Sequence, residues 1–293
     1  MILKSRRMRN LIIISISTLI LLHIAPLTAV AAQNAKATII NDAIVTVDGV
    51  EIELNDPLRM LDGRLFIPVV GIVAVFGATV DWDQDNEQVT IHTSDEDKIV
   101  LSNGVPVVYF NDNRYLMDVA PFIEGGRTYL PIRFIAQLMH ATVKWYADEQ
   151  LAELVSLQAD EEAIPAISMN EAEPFTEDDL VLLAKITQVE TGYETYEGQL
   201  AVANVILNRV KDSRFPDSIK EVIYSGKQFP PAHNGLLDKS KPNASVMRAA
   251  KDALNGKNNV EDAVYFYNPK VTKGAFWSGL EVITKIGTHR FAK

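Results

Sequence analysis

The chain has 293 residues, 47% of them hydrophobic, and no cysteine. It is long enough for two domains with their own cores and too apolar for a disordered chain, and the missing cysteines exclude disulfides, a lipidated cysteine, thiolate zinc sites and a cysteine nucleophile. The formal charge of −10 is unevenly placed, with 24 acidic and 8 basic side chains over 33–174 against 14 acidic and 16 basic over 175–293. The acidic first half argues against nucleic acid, while the near-neutral second half can approach an anionic polymer without large repulsion.

Residues 1–32 read as a secretory signal peptide. Lys4, Arg6, Arg7 and Arg9 form a basic start, 11–22 is an apolar run, and Ala29 and Ala31 stand at the −3 and −1 positions of a small-residue cleavage site. An uncleaved membrane anchor is the alternative, because the apolar stretch continues through 23–32. Both readings put the rest of the chain outside the cytoplasm.

Next comes an internal repeat. Gly63 and Gly126, Arg64 and Arg127, Pro68 and Pro131, Ala78 and Ala141, Val80 and Val143, and Trp82 and Trp145 all recur at an offset of 63. An offset that long implies duplicated units, each too small to bury its own face, here about 42–92 and 105–156. Each unit predicts a turn, a short strand, a helix of two to three turns, and two further strands. The segments "IVTVDG" and "PVVYFNDNRY" supply the remaining hairpin edges. Residues 37–157 are therefore expected to form an α+β module of two internal repeats. Asp81, Asp83 and Asp85 alternate like the opening of a calcium loop, but Asn86 and His92 stand where such a loop needs Gly and Glu, so a solvated hairpin turn is the better reading. The paired GR-x-x-x-P and A-T-V-x-W motifs resemble the stalk-like domain found at the N-terminus of copper amine oxidases. That resemblance implies no copper site.

An acidic stretch with Ala and Pro, 158–174, predicts a linker. The second domain, 175–293, then opens on a helix start. Thr176 is the N-cap, Asp179 its capping-box partner, and Phe175 with Leu180 a hydrophobic staple. Helix 177–191 carries Leu180, Leu183, Ile186 or Thr187 and then Glu190 on one face. Glu190 is the odd member of an apolar stripe, and an ionised carboxylate there is costly unless it is partnered or its pKa is raised beside a cleft. A raised pKa is what a general acid working near neutral pH needs. Glu194 and Glu197 fall past the helix end. Solvation or capping explains Glu194, and N-terminal stabilisation of the next helix explains Glu197.

That next helix, 198–211, is apolar on nearly all sides and is expected to be the buried centre of an α-rich domain. Further helices are predicted at 217–225 and 243–256, the latter with Asn243 as cap and Gly256 as stop. The tail reads as strand-like and rich in loops.

The ordered motifs "ETGYETYEGQLAVANVILNRV", "RFPDSIKEVIYSGKQF", "AVYFYNP" and "IGTHRFAK" resemble the catalytic domain of the cell wall hydrolases typified by the spore-cortex-lytic enzyme SleB. The family's usual run is Glu-Ala-x-Gly-Glu-Pro-Tyr-Glu-Gly-Gln. Here Gly192 stands one place earlier than the family's first glycine, and Thr195 replaces the proline. The resemblance implies a lysozyme-like, lytic-transglycosylase-like α-rich α+β fold, and it puts the family's catalytic glutamate on Glu190. It implies cleavage between N-acetylmuramic acid and N-acetylglucosamine with closure of a 1,6-anhydro ring. One carboxylate suffices for that, because the substrate's own hydroxyl is the nucleophile. Phe229, Tyr265, Tyr267, Asn268, Trp277 and His289 occupy family-like motifs and are candidates for glycan contact, with packing as the alternative for each.

Peptidoglycan glycan strands are the expected substrate, in a cell wall or spore cortex, and a cell-envelope partner is open for the acidic module. The alternatives are muramidase-type hydrolysis, which asks for a second carboxylate, and an inactive wall-binding protein. No metal or cofactor is expected: His92, His140, His233 and His289 form no H-E-x-x-H.

Overall fold

The computed structural model describes residues 36–157, 175–226 and 228–293. The predicted targeting segment and linker lie outside the described residues. Among the described residues no helix is long and apolar enough to cross a membrane.

The first module consists of strands β1 (Thr38–Ile40), β2 (Ile44–Val47), β3 (Val50–Ile52), β4 (Leu58–Leu61) and β5 (Arg64–Pro68), helix α1 (Val69–Val75), then β6 (Thr79–Asp83), β7 (Gln88–His92), β8 (Lys98–Ser102), β9 (Val107–Phe110), β10 (Asn113–Leu116), β11 (Phe122–Glu124) and β12 (Arg127–Pro131), helix α2 (Ile132–Leu138), and β13 (Ala141–Tyr146) and β14 (Leu151–Ser156). Strand, helix, strand, strand follow Arg64 and Arg127 alike. Both helices start directly after a proline, Pro68 or Pro131. Each is followed by a left-handed residue, Gly77 at φ 71° and His140 at φ 50°, which stops the helix and turns the chain into the next strand.

The strands form three sheets, in the orders β1-β4-β5-β12-β11, β10-β9-β8-β7-β6 and β13-β14-β2-β3. The two helices and the inner sheet faces enclose one core, with Val45, Ile67, Ile72, Ile91, Leu130 and Ile135 essentially fully buried. The arrangement departs from the sequence reading in several places, with β1, β3, β4 and β11 among the strands not anticipated. Strand β2 is no edge: it lies between β14, paired parallel, and β3, with Val45 and Val47 buried. Strand β8, not anticipated, is the centre of its sheet. The acidic turn after Trp82 is a hairpin turn, where the Asp83 carboxylate accepts from the backbone N–H of Asp85 and Asn86 at 2.9 and 3.1 Å.

The second module consists of α3 (Glu177–Thr191), α4 (Tyr196–Lys211), α5 (Ile219–Tyr224), a 3-10 turn (Pro230–Ala232), α6 (Leu236–Lys239), α7 (Ala244–Leu254), β15 (Tyr265–Tyr267), α8 (Ala275–Gly279), β16 (Val282–Ile286) and β17 (His289–Ala292). The capping box forms as expected, with Thr176 Oγ1 accepting from the Asp179 N–H at 3.1 Å and Asp179 accepting from Thr176. Helix α4 is the buried centre and packs against α3, α5, α7, β15 and β16. Its Asn208 amide donates to the Glu261 and Ala263 carbonyls at 2.7 and 2.9 Å, which satisfies a loop that the helix covers. The tail forms the sheet β15-β17-β16, while the short helices α6 and α8 were not foreseen.

The modules meet at the C-terminal end of α7. Arg114 donates to Asn255 Oδ1 at 2.8 Å and to the Leu254 carbonyl at 3.2 Å, so a cation of the first module complements the last carbonyls of a helix in the second. Lys257 Nζ donates to the Asn103 carbonyl at 2.8 Å, and Arg248 to the Asp85 carbonyl at 2.8 Å. A cavity of about 140 Å³ lies at this seam, lined by Gln88, Ser102, Tyr109, Arg248, Lys251 and Asn255 among others.

Candidate active site

The last turn of α3 carries Glu190. Its stripe-mates Leu183, Ile186 and Thr187 are all 0% exposed, so the apolar face predicted from spacing is the face that packs. Burying Leu183 and Ile186 contributes roughly 1.5–3 kcal/mol each, enough to hold the helix against the core although the stripe ends in an acid. Glu190 itself is half-buried. Burial pushes its carboxyl above the usual carboxylate range, and the Arg209 guanidinium pulls it part of the way back. The acid is thus kept protonated further toward neutral pH than a surface glutamate.

Arg209 comes from the last turn of α4 and is 5% exposed. Its Nε donates to the Val264 carbonyl at 2.7 Å. The guanidinium carbon lies over the rings of Phe215, Phe229 and Tyr265 at 5.2, 5.3 and 5.9 Å. Burial pushes this guanidinium down, to about 10, against the pull of Tyr265 and Glu190. Sequence reading missed it. The available signal was a cation within a helix apolar on nearly all sides, the same kind of anomaly that singled out Glu190.

The loop between α3 and α4 is shaped by two glycines. A side chain at Gly192 would collide with the Gln188 amide at 1.8 Å, and that amide accepts from the Asn243 N–H at 2.8 Å at the start of α7. The early glycine therefore lets Gln188 cross the helix end and tie α3 to α7. Glu194 is more than a solvated residue, contrary to expectation. Its Oε1 lies 3.0 Å from His289 Nδ1 and accepts from Thr288 Oγ1 at 3.2 Å. Its carboxylate fits against Gly287 and Gly198, where an added Cβ would stand 2.4 and 3.0 Å from Oε2. The side chain thus fastens the β16–β17 turn to the loop that follows Glu190. Glu197 is exposed in the first turn of α4, as a helix-stabilising carboxylate should be.

The six nominated glycan contacts separate. Tyr265, Tyr267 and Trp277 come together with Phe276 in one aromatic cluster, with ring centroids 5.1 to 6.5 Å apart. Phe276, 56% exposed, was not foreseen. Phe229 and Tyr267 are 1% and 6% exposed, so they stand behind the surface and offer almost no area to a ligand. Asn268 holds its own turn, accepting from the Lys270 N–H at 3.0 Å. His289 packs edge-on against Phe266 and pairs with Glu194, apart from that cluster's ring contacts. Among the described residues no group of three or more His, Asp or Glu side chains is placed to hold a metal ion.

Residues 193–292 match the Cell Wall Hydrolase family, a range that begins three residues after Glu190, and residues 46–154 match the copper amine oxidase N-terminal domain. The chain is 35% identical over 128 residues to the spore cortex-lytic enzyme of Bacillus subtilis strain 168, covering 44% of this chain and 42% of that one. It is 36% identical over 127 residues to the spore cortex-lytic enzyme of Oceanobacillus iheyensis, covering 43% and 45%. The aligned segment thus spans less than half the length of either relative. Among solved structures, the catalytic domain of the germination-specific lytic transglycosylase SleB from Bacillus anthracis shares 33% identity over 42% of this chain and 99% of that one, with a TM-score of 0.39.

Proposed function

From the premise that this chain carries a Cell Wall Hydrolase domain behind a copper amine oxidase N-terminal domain, we propose that it is a lytic transglycosylase of peptidoglycan. The bond cut is that between N-acetylmuramic acid and N-acetylglucosamine, and the fold of 175–293 is lysozyme-like. The observation that carries this reading is Glu190, half-buried at the end of an apolar helix face with its carboxyl raised by burial.

In the reaction, protonated Glu190 donates to the glycosidic oxygen as the bond from the muramic C1 to that oxygen breaks. The resulting carboxylate takes the proton of the muramic C6 hydroxyl while O6 bonds to C1 and closes the 1,6-anhydro ring. The proton count returns to its start and no water is consumed. A hydrolytic glycosidase normally uses a second carboxylate. Glu194, the neighbouring candidate, is instead occupied by His289 and Thr288, which favours the transglycosylase route. Within the aromatic cluster Tyr265 and Trp277 are the nominated glycan contacts that keep accessible area, and Phe276 extends it. Phe229 and Tyr267 support them from behind, while Asn268 and His289 shape the neighbouring loops.

The spore cortex or the wall of a growing cell is the site of action, reached by export through the 1–32 segment. The module at 37–157 acts as a stalk of two repeats and is joined by the 158–174 linker. Digestion of purified peptidoglycan, followed by mass spectrometry of the products, tests the function. Wild type should yield anhydro-muropeptides and Glu190→Gln should yield none. Reducing ends in their place would replace this reading with hydrolysis, and no cleavage at all would replace it with a binding role.

A further inference from the structure

At the seam, the cations of the second module find half of their partners in the first. Arg248 on α7 donates through Nη1 to the Asp85 carbonyl at 2.8 Å, and its Nη2 lies 3.3 Å from the Glu87 carboxylate. Within its own module its Nε lies 3.5 Å from Asp252, and the guanidinium carbon stands 4.3 Å over the Tyr196 ring. Lys257, just past α7, donates to the Asn103 carbonyl at 2.8 Å and lies 5.0 Å from the same ring. Tyr196 is therefore flanked by two cations, each held by the first module, while its hydroxyl donates to Asp252 at 2.5 Å. Asn103 also donates to Glu87 at 2.7 Å, which fixes the carboxylate that faces Arg248. Asp252 and Lys257 are buried, and a buried charge that loses one partner is left uncompensated, so this network is firm only while the first module is in place.

What the network holds is the start of α4. Tyr196 is the first residue of that helix, and residues 192–195 join it to the helix that ends on Glu190 and Thr191. The same α7 holds this loop from its other end. Gln188 accepts from the Asn243 N–H at 2.8 Å, and the Asn243 amide donates to the Gly192 carbonyl at 3.5 Å. Ser245 donates to Gln199 Oε1 at 2.6 Å, and the Gln199 amide donates to the Glu194 carbonyl at 2.9 Å. One helix thus meets the first module along its C-terminal half and the loop after Glu190 at its N-terminal end. Backbone approach makes the seam close-fitting: a Cβ on Gly256 would stand 3.1 Å from Pro106, and one on Gly104 would stand 3.2 Å from the Lys257 stem.

We propose that the first module is a docked brace of the active site: through Arg248 and Lys257 it holds Tyr196, and with it the loop that follows Glu190, in the arrangement that glycan cleavage needs. This rests on the reading of Glu190 as the acid. Glu87, Asn103 and Arg114 all belong to or flank strands of the β10-β9-β8-β7-β6 sheet, so that sheet is the docking face. Ile67 lies in the β1-β4-β5-β12-β11 sheet, and truncating it leaves the seam groups themselves in place. Undocking would free both cations to turn toward water and would leave Tyr196 with Asp252 alone. A loop beside the acid that samples several positions lowers the fraction of bound substrate held in the reactive geometry.

Two seam variants in the first module of the full chain test the proposal. Glu87→Lys sets a cation against Arg248, and Arg114→Met removes the donor to Asn255 and the Leu254 carbonyl. Glu51→Lys, an exposed charge reversal on β3 away from that sheet, is the control. Hydrogen exchange is read at the Lys257 amide for the seam, and at the Glu194 and Gln199 amides for the loop. In both seam variants all three should exchange about 10-fold faster or more. On a soluble glycan oligomer prepared from peptidoglycan, kcat should fall by about 10-fold with KM within about 2-fold of wild type, and Glu51→Lys should change neither readout. Faster exchange at Lys257 with Glu194 and Gln199 unmoved would make the docked module a passenger and overturn the proposal. A rise in KM at constant kcat would make it a glycan-binding arm, and that overturns it too. If neither variant folds, exchange of the wild type in rising urea decides: the loop and seam amides should open together, and a loop that opens while the seam stays closed overturns the brace. Exchange needs no glycan cleavage, so failure of the proposed reaction and failure of the brace are told apart.

Discussion

The two modules bury different chemistry. Of the ten polar or charged side chains buried among the described residues, Arg59 alone belongs to the first module, where it pairs with Glu124. The other nine lie in the second: Thr187, Thr191, Gln199, Asn204, Asn208, Arg209, Asp252, Asn255 and Lys257. The first module is a β-rich core of Val, Ile and Leu, and side chains of that kind can be exchanged for others of similar volume. The second spends stability on polar groups inside a helical core, and buried polar groups cluster where geometry must be fixed. Stability in the first module and chemistry in the second should therefore be separable by mutation.

The largest effect expected is on Glu190. Glu190→Gln should lower glycan cleavage by about 10²–10⁴-fold, while circular dichroism shows an unchanged fold. In the first module, Ile67→Ala removes a fully buried side chain and should cost about 2–5 kcal/mol of that module's stability. Denaturant melts would show the loss, and turnover at low temperature should stay within about 2-fold of wild type, a range set by the distance between sites. A large loss of turnover would mean that the seam at α7 couples the modules more tightly than the separation allows.

A smaller effect is expected at the turn that holds Glu194. Gly287 has φ 57° and no room for a Cβ, so Gly287→Ala should cost about 1–3 kcal/mol and detach His289 from Glu194. Thermal melts and the His289 ring resonances would report the two consequences together. The smallest effect is on stability with pH. Because burial raises the Glu190 pKa in the folded state, the unfolded chain gives up that proton first as pH rises. Glu190 therefore begins to cost stability above the ordinary glutamate pKa, and the full cost is present above the raised one. Glu190→Gln should then melt higher than wild type at neutral pH, with the gain vanishing in acid. A variant that melts lower at pH 7 would mean that Glu190 is paired in the fold.

Much of the second module is legible in the chain because its signals are local. Thr176 and Asp179 are three residues apart, and the capping box they predict forms. Leu183, Ile186 and Glu190 share a face by helical spacing, and that face is the buried one. In the first module the strand–helix–strand order after each Gly-Arg turn was equally local. The placement of β2 between β14 and β3 was not, because it depends on a parallel pairing across some hundred residues. Residues such as Phe229 and Tyr265 carry no label for the partner they cover.

The sequence by itself determined the longer helices, where the second module starts, and that an acid ends an apolar helix face, since capping and periodicity act within a few residues. Only the tertiary structure decided what surrounds that acid. Arg209 meets Val264 and three rings, and Glu194 meets His289, across separations of 55 and 95 positions, and such contacts exist only once helix packing has brought distant segments together.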